Sequence, residues 1–364
     1  FQEDPISLGT VTFLLSTPYT IKSWNTGPNS NADLYPGNDT LVTTARYAAV
    51  SDTVTIGGTS PDVPTIADAL TALSFGGVLD SVNFQLRNGT YHATLTLPQT
   101  AGMNCSTPII FESESGNAAN VVWDNQNLSS ATVMLDGADG ITFRKLTIKT
   151  VQANYPAVQF KNGAHCNTFR ECILEGIATT NSSTSMATVY SHGSQNNNNV
   201  FLANTIKKGS YGIYWDGGYA TTGARIENNT VQDAYYSGIT LANSVAPIIH
   251  QNTITSTTGI SYFYGIYLYN CNEDARVTSN QLLLTGIRGV GILLSICNGS
   301  MSQTNLVANN FIVMGSGTSS YGIQHYYCSW SNLYYNTIRI TGGAASGFPY
   351  YRTYATNIDI KNNI

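Results

Sequence analysis

Two short strings return along most of this chain at the same spacing. One is built around Gly-Ile, as in YGIYWDGG, YGIYLYN and YGIQHYY. The other carries an Asn inside an apolar stretch. The series extends backwards to residues 169–174 and 143–148, where Cys172 and Leu146 stand at the position of the Asn. Its Asn residues, 23–30 positions apart, are Asn204, Asn229, Asn252, Asn280, Asn310, Asn336 and Asn363.

The interleaving of two strings at one period predicts an all-β parallel β-helix, a solenoid in which each repeat forms one turn, here called a rung. The repeat is too short and too rich in strand formers for a helical solenoid. Stacked rungs lie about 4.8 Å apart, so inward Asn side chains can bond to each other along the stack. A β-sandwich would have similar strands but would not explain the shared period.

The segments before the rungs predict a capping helix and a separate N-terminal part. Ile66, Ala69, Leu70 and Leu73 share one face of a short amphipathic helix at about 64–75. Such a helix would cover the open end of the stack. We expect the β-helix to span 51–364, and both ends of the chain look cut.

Residues 1–50 alternate apolar and polar positions around a Pro/Asn/Gly-rich loop. We interpret them as the last strands of a β-sandwich or a linker. The alternative is an N-terminal extension packed on the helix.

Strand alternation assigns each position after the recurring Gly to the core or to the solvent. The next residue is always apolar and is expected to point inward: Val158, Val189, Ile213, Ile239, Ile266, Ile292, Ile323 and Phe348. The first outward column is then Gln159, Tyr190, Tyr214, Thr240, Tyr267, Leu293, Gln324 and Pro349. The second outward column is Lys161, His192, Asp216, Ala242, Tyr269, Ser295, Tyr326 and Tyr351.

These two columns supply the predicted ligand-binding residues. Tyrosine rings with polar tips suit the flat apolar faces of sugars and other amphipathic partners. The plainer explanation is that Tyr favours exposed β-structure. The predicted binding residues are Gln159, Tyr190, Tyr214, Tyr267, Tyr269, Gln324, Tyr326 and Tyr351.

Lys161, His192 and Asp216 fall on successive rungs of the second column and are the candidate catalytic residues. An amine, an imidazole and a carboxylate about 4.8 Å apart could transfer a proton. The alternative is ordinary charge pairing, and a shift of one residue would turn His192 inward. The paired carboxylates of most glycosidases are not evident in this column.

Cys271, Cys297 and Cys328 each lie six residues after a recurring Gly and should stack on adjacent rungs. They are disulfide candidates, with one bridge and one free thiol or a buried column of three thiols as the two outcomes. Cysteine usage fits an exported protein. No C-x-x-C pair occurs among the 6 Cys, so we expect no metal site and no cofactor, and a calcium site is not evident.

Composition narrows the class of partner. Only 10% of residues are charged, the net charge is −5, and no basic run stands out, which argues against nucleic acid. No apolar stretch approaches the roughly 20 residues of a membrane span, so no membrane insertion is expected.

The segments TIADALTALSFGGV, VNFQLRNGTYHATLTL, PIIFESESG and ITFRKLTI together resemble the entry to right-handed parallel β-helix proteins of the pectin-lyase-like superfamily. The chain is most similar to the large surface proteins that Gram-negative bacteria export by the type IX system. NADLYPGNDTLVTTARY resembles the close of an immunoglobulin-like module. The resemblance implies an extracellular, cell-surface location. The pectin methylesterase pattern and the calcium-binding acids of lyases are not recognisable here.

We therefore expect a non-catalytic module of a large surface adhesin that binds polysaccharide or another surface through its Tyr-rich face. Its expected partners are a polysaccharide or cell-surface glycan and the neighbouring domains of the same chain. The first alternative is a polysaccharide lyase, hydrolase or esterase, since the superfamily contains all three. The second is a structural stalk.

Overall fold

The computed structural model describes residues 14–15, 17–24, 40–46, 48–256, 262–285, 288–315, 319–341 and 347–364. Much of the predicted sandwich segment, at 1–13, 16, 25–39 and 47, lies outside the described residues. Its described part contains the strands Tyr19–Trp24 and Thr40–Arg46, which pair antiparallel. The division of the chain at residue 50 stays a prediction.

The rest of the described chain winds through three parallel sheets. In the described residues the first sheet has 12 strands: Val50–Ile56, Val78–Leu86, Ile109–Ser113, Ile141–Arg144, Thr168–Arg170, Val200–Leu202, Arg225–Glu227, Ile248–His250, Arg276–Thr278, Asn305–Ala308, Ser329–Tyr334 and Thr356–Lys361. The second sheet has 10 strands within the same part of the chain: Gly89–His92, Val121–Asp124, Thr147–Lys149, Ile173–Glu175, Thr205–Lys207, Thr230–Gln232, Thr253–Thr255, Gln281–Leu284, Phe311–Met314 and Thr337–Ile340.

The third sheet carries the recurring Gly-Ile string. Its 10 described strands are Leu95–Pro98, Val133–Asp136, Val158–Lys161, Val189–Ser191, Tyr211–Thr222, Ser237–Val245, Phe263–Tyr269, Gly289–Ser295, Ser320–Tyr326 and Gly347–Thr353. Short 3-10 turns at Ala118–Asn120 and Thr184–Met186 lie in the connections. Each strand pairs in parallel with the strand one rung later, which confirms the predicted all-β parallel solenoid.

The inner Asn residues form the predicted ladder. The Asn252 carboxamide oxygen accepts from the backbone N–H and from the side-chain amide of Asn229, both at 3.0 Å. Its own amide donates to the Ile226 carbonyl at 2.8 Å and to Asn280 at 3.0 Å. The same bonds link the ladder from Asn204 to Asn363. Because these buried amides are satisfied along the stack, the ladder adds hydrogen bonds without leaving buried orphans.

The helix Ile66–Gly76 confirms the predicted cap, although it begins two residues later. Thr65 and Asp68 form a reciprocal capping box at its start. Ile66, Ala69 and Leu73 are buried against the first rungs. The strand Val50–Ile56 precedes the helix and pairs with Val78–Leu86, so the first strand of the stack lies before the capping helix.

The recurring Gly breaks the simple alternation of the third sheet. A Cβ on Gly212 would lie 2.5 Å from the core side chain of Val231. A Cβ on Gly265 would lie 2.6 Å from the Leu282 side chain, and a Cβ on Gly322 would lie 2.3 Å from the Ile338 side chain. The Gly and the following Ile therefore both face the core, because no side chain fits between the two sheets at this corner. The residue before the Gly then turns outward.

The last rung contradicts the predicted columns. Phe348 was expected inside but is 43% exposed, and it pairs with Tyr321 rather than with Ile323. Tyr350 pairs with Ile323, and Tyr351 pairs with Gln324 and so moves to the first outward column. The strand is offset by two residues from a Gly-to-Gly alignment, since Gly347 pairs with Ser320.

The three stacked cysteines are not bridged. Cys271, Cys297 and Cys328 are free and buried, which is the column of three thiols. The disulfide instead joins Cys105 to Cys166, 61 residues apart in sequence, with Cα atoms 5.5 Å apart. Of the two predicted outcomes for the stacked cysteines, the structure has the column of three thiols and not the bridge.

Candidate functional site

The candidate site lies on the outer surface of the third sheet, here called the third-sheet face. The predicted first outward column is confirmed from Gln159 to Gln324 by the strand pairing. Its tyrosines, Tyr190, Tyr214 and Tyr267, are half-buried. Thr240 and Leu293 interrupt the column and are buried beneath larger neighbours.

A chain of ring contacts crosses this face and is here called the tyrosine track. The ring centroids of Tyr190 and Tyr214 are 5.8 Å apart, and those of Tyr214 and Tyr211 are 5.2 Å apart. Successive contacts at 5.3, 5.4 and 5.3 Å carry it onward to Tyr267. The track consists of Tyr190, Tyr214, Tyr211, Tyr236, Tyr264 and Tyr267.

Half of the track was missed from the sequence. Tyr211 and Tyr264 precede the recurring Gly, so strict alternation would have turned them inward. The available signal was the Tyr-Gly pair itself, because a Gly needed for close packing marks a departure from regular alternation. Tyr236 lies in the loop before the next strand and had no periodic signal.

Burial favours the neutral phenol at four tyrosines of the track. It raises the pKa of Tyr214 to about 12, with the nearby Asp216 carboxylate adding to the rise. Burial also raises the pKa of Tyr211, Tyr264 and Tyr267. A neutral phenol presents a flat apolar ring and a hydroxyl that both donates and accepts hydrogen bonds.

Two shallow hollows lie on the third-sheet face. The first, about 330 Å³, is lined by Gln159, Lys161 and Tyr190 from the sheet and by Asn154, Tyr155 and Ser185 from the loops. The second, about 320 Å³, is lined by Tyr262, Tyr264, Tyr267, Leu293, Ser295, Gln324 and Tyr326. The track therefore runs from one hollow to the other.

His192 and Asp216 form a close polar contact beside the track. The distance from His192 Nδ1 to Asp216 Oδ2 is 2.9 Å. Asp216 is further held by the Asn243 amide at 2.8 Å and the Gly218 N–H at 3.0 Å. His192 is exposed and outward, so the predicted outward register holds. With Nδ1 engaged by the carboxylate, Nε2 is the ring nitrogen left for a ligand.

Lys161 is separated from that pair. It lies opposite Asp136 on the preceding strand and contributes to the first hollow. Within the described residues Lys161 makes no ion pair with Asp216. The structure thus joins two of the three candidate catalytic residues.

The remaining predicted binding residues lie toward the later rungs. Gln324 and Tyr326 line the second hollow. Tyr269 and Tyr326 are exposed in the second outward column. Tyr351 packs against Tyr321 with ring centroids 5.1 Å apart.

Neither a metal cluster nor a membrane helix accompanies the site. In the part of the chain that the structure describes, no three His, Cys, Asp or Glu side chains gather closely enough to hold a metal ion. Among the described helices, none is long and apolar enough to cross a membrane.

Solved structures with the same fold include carbohydrate-active enzymes and an adhesin. A GH136 lacto-N-biosidase from Eubacterium ramulus superposes with a TM-score of 0.53 at 12% identity, over 85% of this chain and 68% of that one. The surface adhesin PfbA of Streptococcus pneumoniae superposes with a TM-score of 0.47 at 11% identity, over 82% of this chain and 88% of that one. Pectate lyase Pel9A superposes with a TM-score of 0.45 at 13% identity, over 87% of this chain and 80% of that one. At 12% identity the likeness to the lacto-N-biosidase shows a shared fold alone.

The sequence itself matches a family model. None of the curated proteins has a sequence that matches this chain. Residues 126–312, just over half of the 364, match the model described as right handed beta helix region. This chain belongs to the right-handed β-helix family.

Proposed function

We propose that this chain is a non-catalytic module of a large surface adhesin that binds polysaccharide through the third-sheet face. The observation that carries the proposal is the tyrosine track, in which ring centroids follow one another at 5.2–5.8 Å across four neighbouring rungs. Five of the six rings are partly exposed and Tyr211 is buried among them. A row of this length suits an extended ligand rather than a compact one.

The chemistry of the face fits sugar rings. The neutral phenols offer apolar ring faces for stacking and hydroxyls for hydrogen bonding. Gln159 and Gln324 add a carboxamide at each end of the track, inside the two hollows. Both hollows are shallow and open along the sheet, which suits a chain that lies across the rungs.

The setting of the module follows from the same proposal. We infer an extracellular location on a bacterial surface, export by the type IX system, and an immunoglobulin-like module over residues 1–50. The resemblance of the segments around the capping helix supports these inferences. The Cys105–Cys166 disulfide supports an oxidising compartment.

The test is affinity gel electrophoresis of the purified chain in galactomannan, mixed-linkage β-glucan, xylan, alginate and pectate. At least one polysaccharide should retard the wild-type chain. Tyr214→Ala and Tyr267→Ala should each weaken retardation about tenfold in dissociation constant, because each removes a stacking ring.

The matched control is Tyr335→Asn. Tyr335 is 58% exposed in a turn between the first two sheets, away from the track. Asn309 and Asn362 hold the same left-handed turn position in neighbouring rungs, so the variant should fold and bind as wild type. Absence of retardation in all five gels would overturn the proposal.

A second candidate function, that of a polysaccharide lyase or hydrolase, is favoured by the 2.9 Å contact between His192 and Asp216. A carboxylate that holds Nδ1 leaves Nε2 as a base toward a ligand on the track. This reading predicts new reducing ends or unsaturated products, lost in His192→Ala and reduced in Asp216→Asn. If a polysaccharide retards the chain but is not cleaved, the adhesin is favoured. If the chain is neither retarded nor active, the structural stalk is the remaining function.

A further inference from the structure

The corner between the third and first sheets changes character along the stack. From Gly137 onward, each rung has a residue with left-handed backbone at this corner, either just after the third-sheet strand or inside its last part. In the earlier rungs this residue is Gly or Asn: Gly137, Asn162, Gly193, Gly218, Asn243 and Asn270. In the last three rungs it is Ile296, Tyr327 and Tyr354, with φ of 56°, 52° and 51°.

Large side chains at this position are unfavourable for the fold alone. Gly and Asn adopt the left-handed region readily, whereas bulky and β-branched residues are disfavoured there. Tyr327 is 46% exposed and Tyr354 is 70% exposed, so neither is placed there to fill the core. Tyr335 has the same left-handed backbone at another corner, so what distinguishes Tyr327 and Tyr354 is the set of side chains that they contact.

The two corner tyrosines form one cluster with a residue of the site. The rings of Tyr327 and Tyr354 stack with centroids 4.6 Å apart. Tyr326, which lines the second hollow, packs edge-on against Tyr327, also at 4.6 Å. The cluster of Tyr326, Tyr327 and Tyr354, here called the corner cluster, is therefore continuous with the second hollow.

We propose that the corner cluster is a second binding surface, on which a polysaccharide leaving the second hollow continues around the edge of the solenoid. The inference rests on the proposed function and adds residues outside the third-sheet face. All three side chains are uncharged, so the surface recognises the apolar faces of neutral sugar rings. A ligand confined to the hollow would not reach Tyr354.

The test replaces the corner tyrosines with the residue that earlier rungs use. In the double variant Tyr327→Asn/Tyr354→Asn the backbone is relieved of strain, so the chain should fold at least as stably as wild type. Binding is measured to galactomannan and to mixed-linkage β-glucan, and to a disaccharide and a trisaccharide from each. We expect about tenfold weaker binding to the polysaccharide and unchanged binding to the short sugars.

Ile296→Asn is the matched control, since it relieves the same turn one rung earlier without removing a ring, and it should bind as wild type. Wild-type affinity of the double variant, with Tyr267→Ala still weakened, would overturn the corner inference and leave the proposed function standing. Loss of a sedimenting dimer in the double variant would instead make the corner a contact between copies and would also overturn it. If the wild-type chain binds neither galactomannan nor mixed-linkage β-glucan, both the corner inference and the recognition of neutral sugars are overturned. Retardation in alginate or pectate would in that case still support the proposed function.

Discussion

His325 occupies a core position of the third sheet that the two preceding rungs fill with Leu268 and Leu294. It is fully buried, and neither ring nitrogen has a hydrogen-bond partner among the described residues. Burial lowers its pKa from 6.5 to about 4. The neutral imidazole is thus tolerated in the core, whereas the charged form is not.

This predicts a pH-dependent loss of stability. Because the folded pKa lies below the unfolded one, the contribution is complete above pH 6.5 and is lost as the pH falls toward 4. The loss approaches about 3 kcal/mol at the acid end. His325→Leu should remove this part of the dependence and raise stability at pH 5, measured by urea unfolding at several pH values.

His250→Gln serves as the control, because His250 lies outside the core and bonds to Thr278 at 2.8 Å. An unchanged pH profile in His325→Leu would contradict the burial account. Strand alternation turns His325 inward, because it lies two residues after the inward Ile323. Alternation could not show that both ring nitrogens lack partners, since that depends on neighbours from other rungs.

At the scale of the element, the Asn ladder explains why seven rungs keep one residue type at one corner. Each amide serves the rungs on both sides, so a single loss is felt by neighbours. Asn252→Ala removes acceptors from Asn229 and leaves the Ile226 carbonyl and Asn280 without its donor. We expect a loss of about 3 kcal/mol in the free energy of unfolding.

Chemical denaturation measures that change, with Asn332→Ala as the control. Asn332 points outward on the first sheet and makes one side-chain bond, to Thr304 at 3.1 Å. Equal losses in the free energy of unfolding for the two substitutions would contradict a special contribution of the ladder to stability.

The strands themselves were predictable because period and alternation are local properties of the sequence. The Asn and Gly-Ile strings gave the rungs, the inward columns and the first outward column. Two features needed the structure. The outward turn of Tyr211 follows from contact between Gly212 and Val231 of another sheet, and the offset of Phe348 follows from pairing rather than from a Gly match.

Across the whole molecule, each rung contacts mainly its neighbours, so covalent links between distant segments are informative. Cys105 and Cys166 join such segments, and no sequence period relates them. The other four cysteines are free and buried, and burial raises the pKa of Cys172 to about 12. Their thiols should therefore be unreactive in the folded chain.

Alkylation with iodoacetamide followed by intact-mass analysis tests this arrangement. The native chain should take up no label. Mild reduction should expose Cys105 and Cys166 alone, and unfolding with reduction should label all 6 cysteines. Labelling of Cys271, Cys297 or Cys328 in the folded chain would show that the thiol column is open to solvent.

The role of the tyrosine track as a polysaccharide surface is the central claim for the whole molecule. Saturation-transfer difference NMR measures it directly, by saturating aromatic ring protons and recording transfer to the protons of the polysaccharide that retards the chain. The account predicts clear transfer with wild type and its loss in the double variant Tyr214→Ala/Tyr267→Ala. Transfer that persists undiminished in the double variant would place the ligand away from the track and contradict the account.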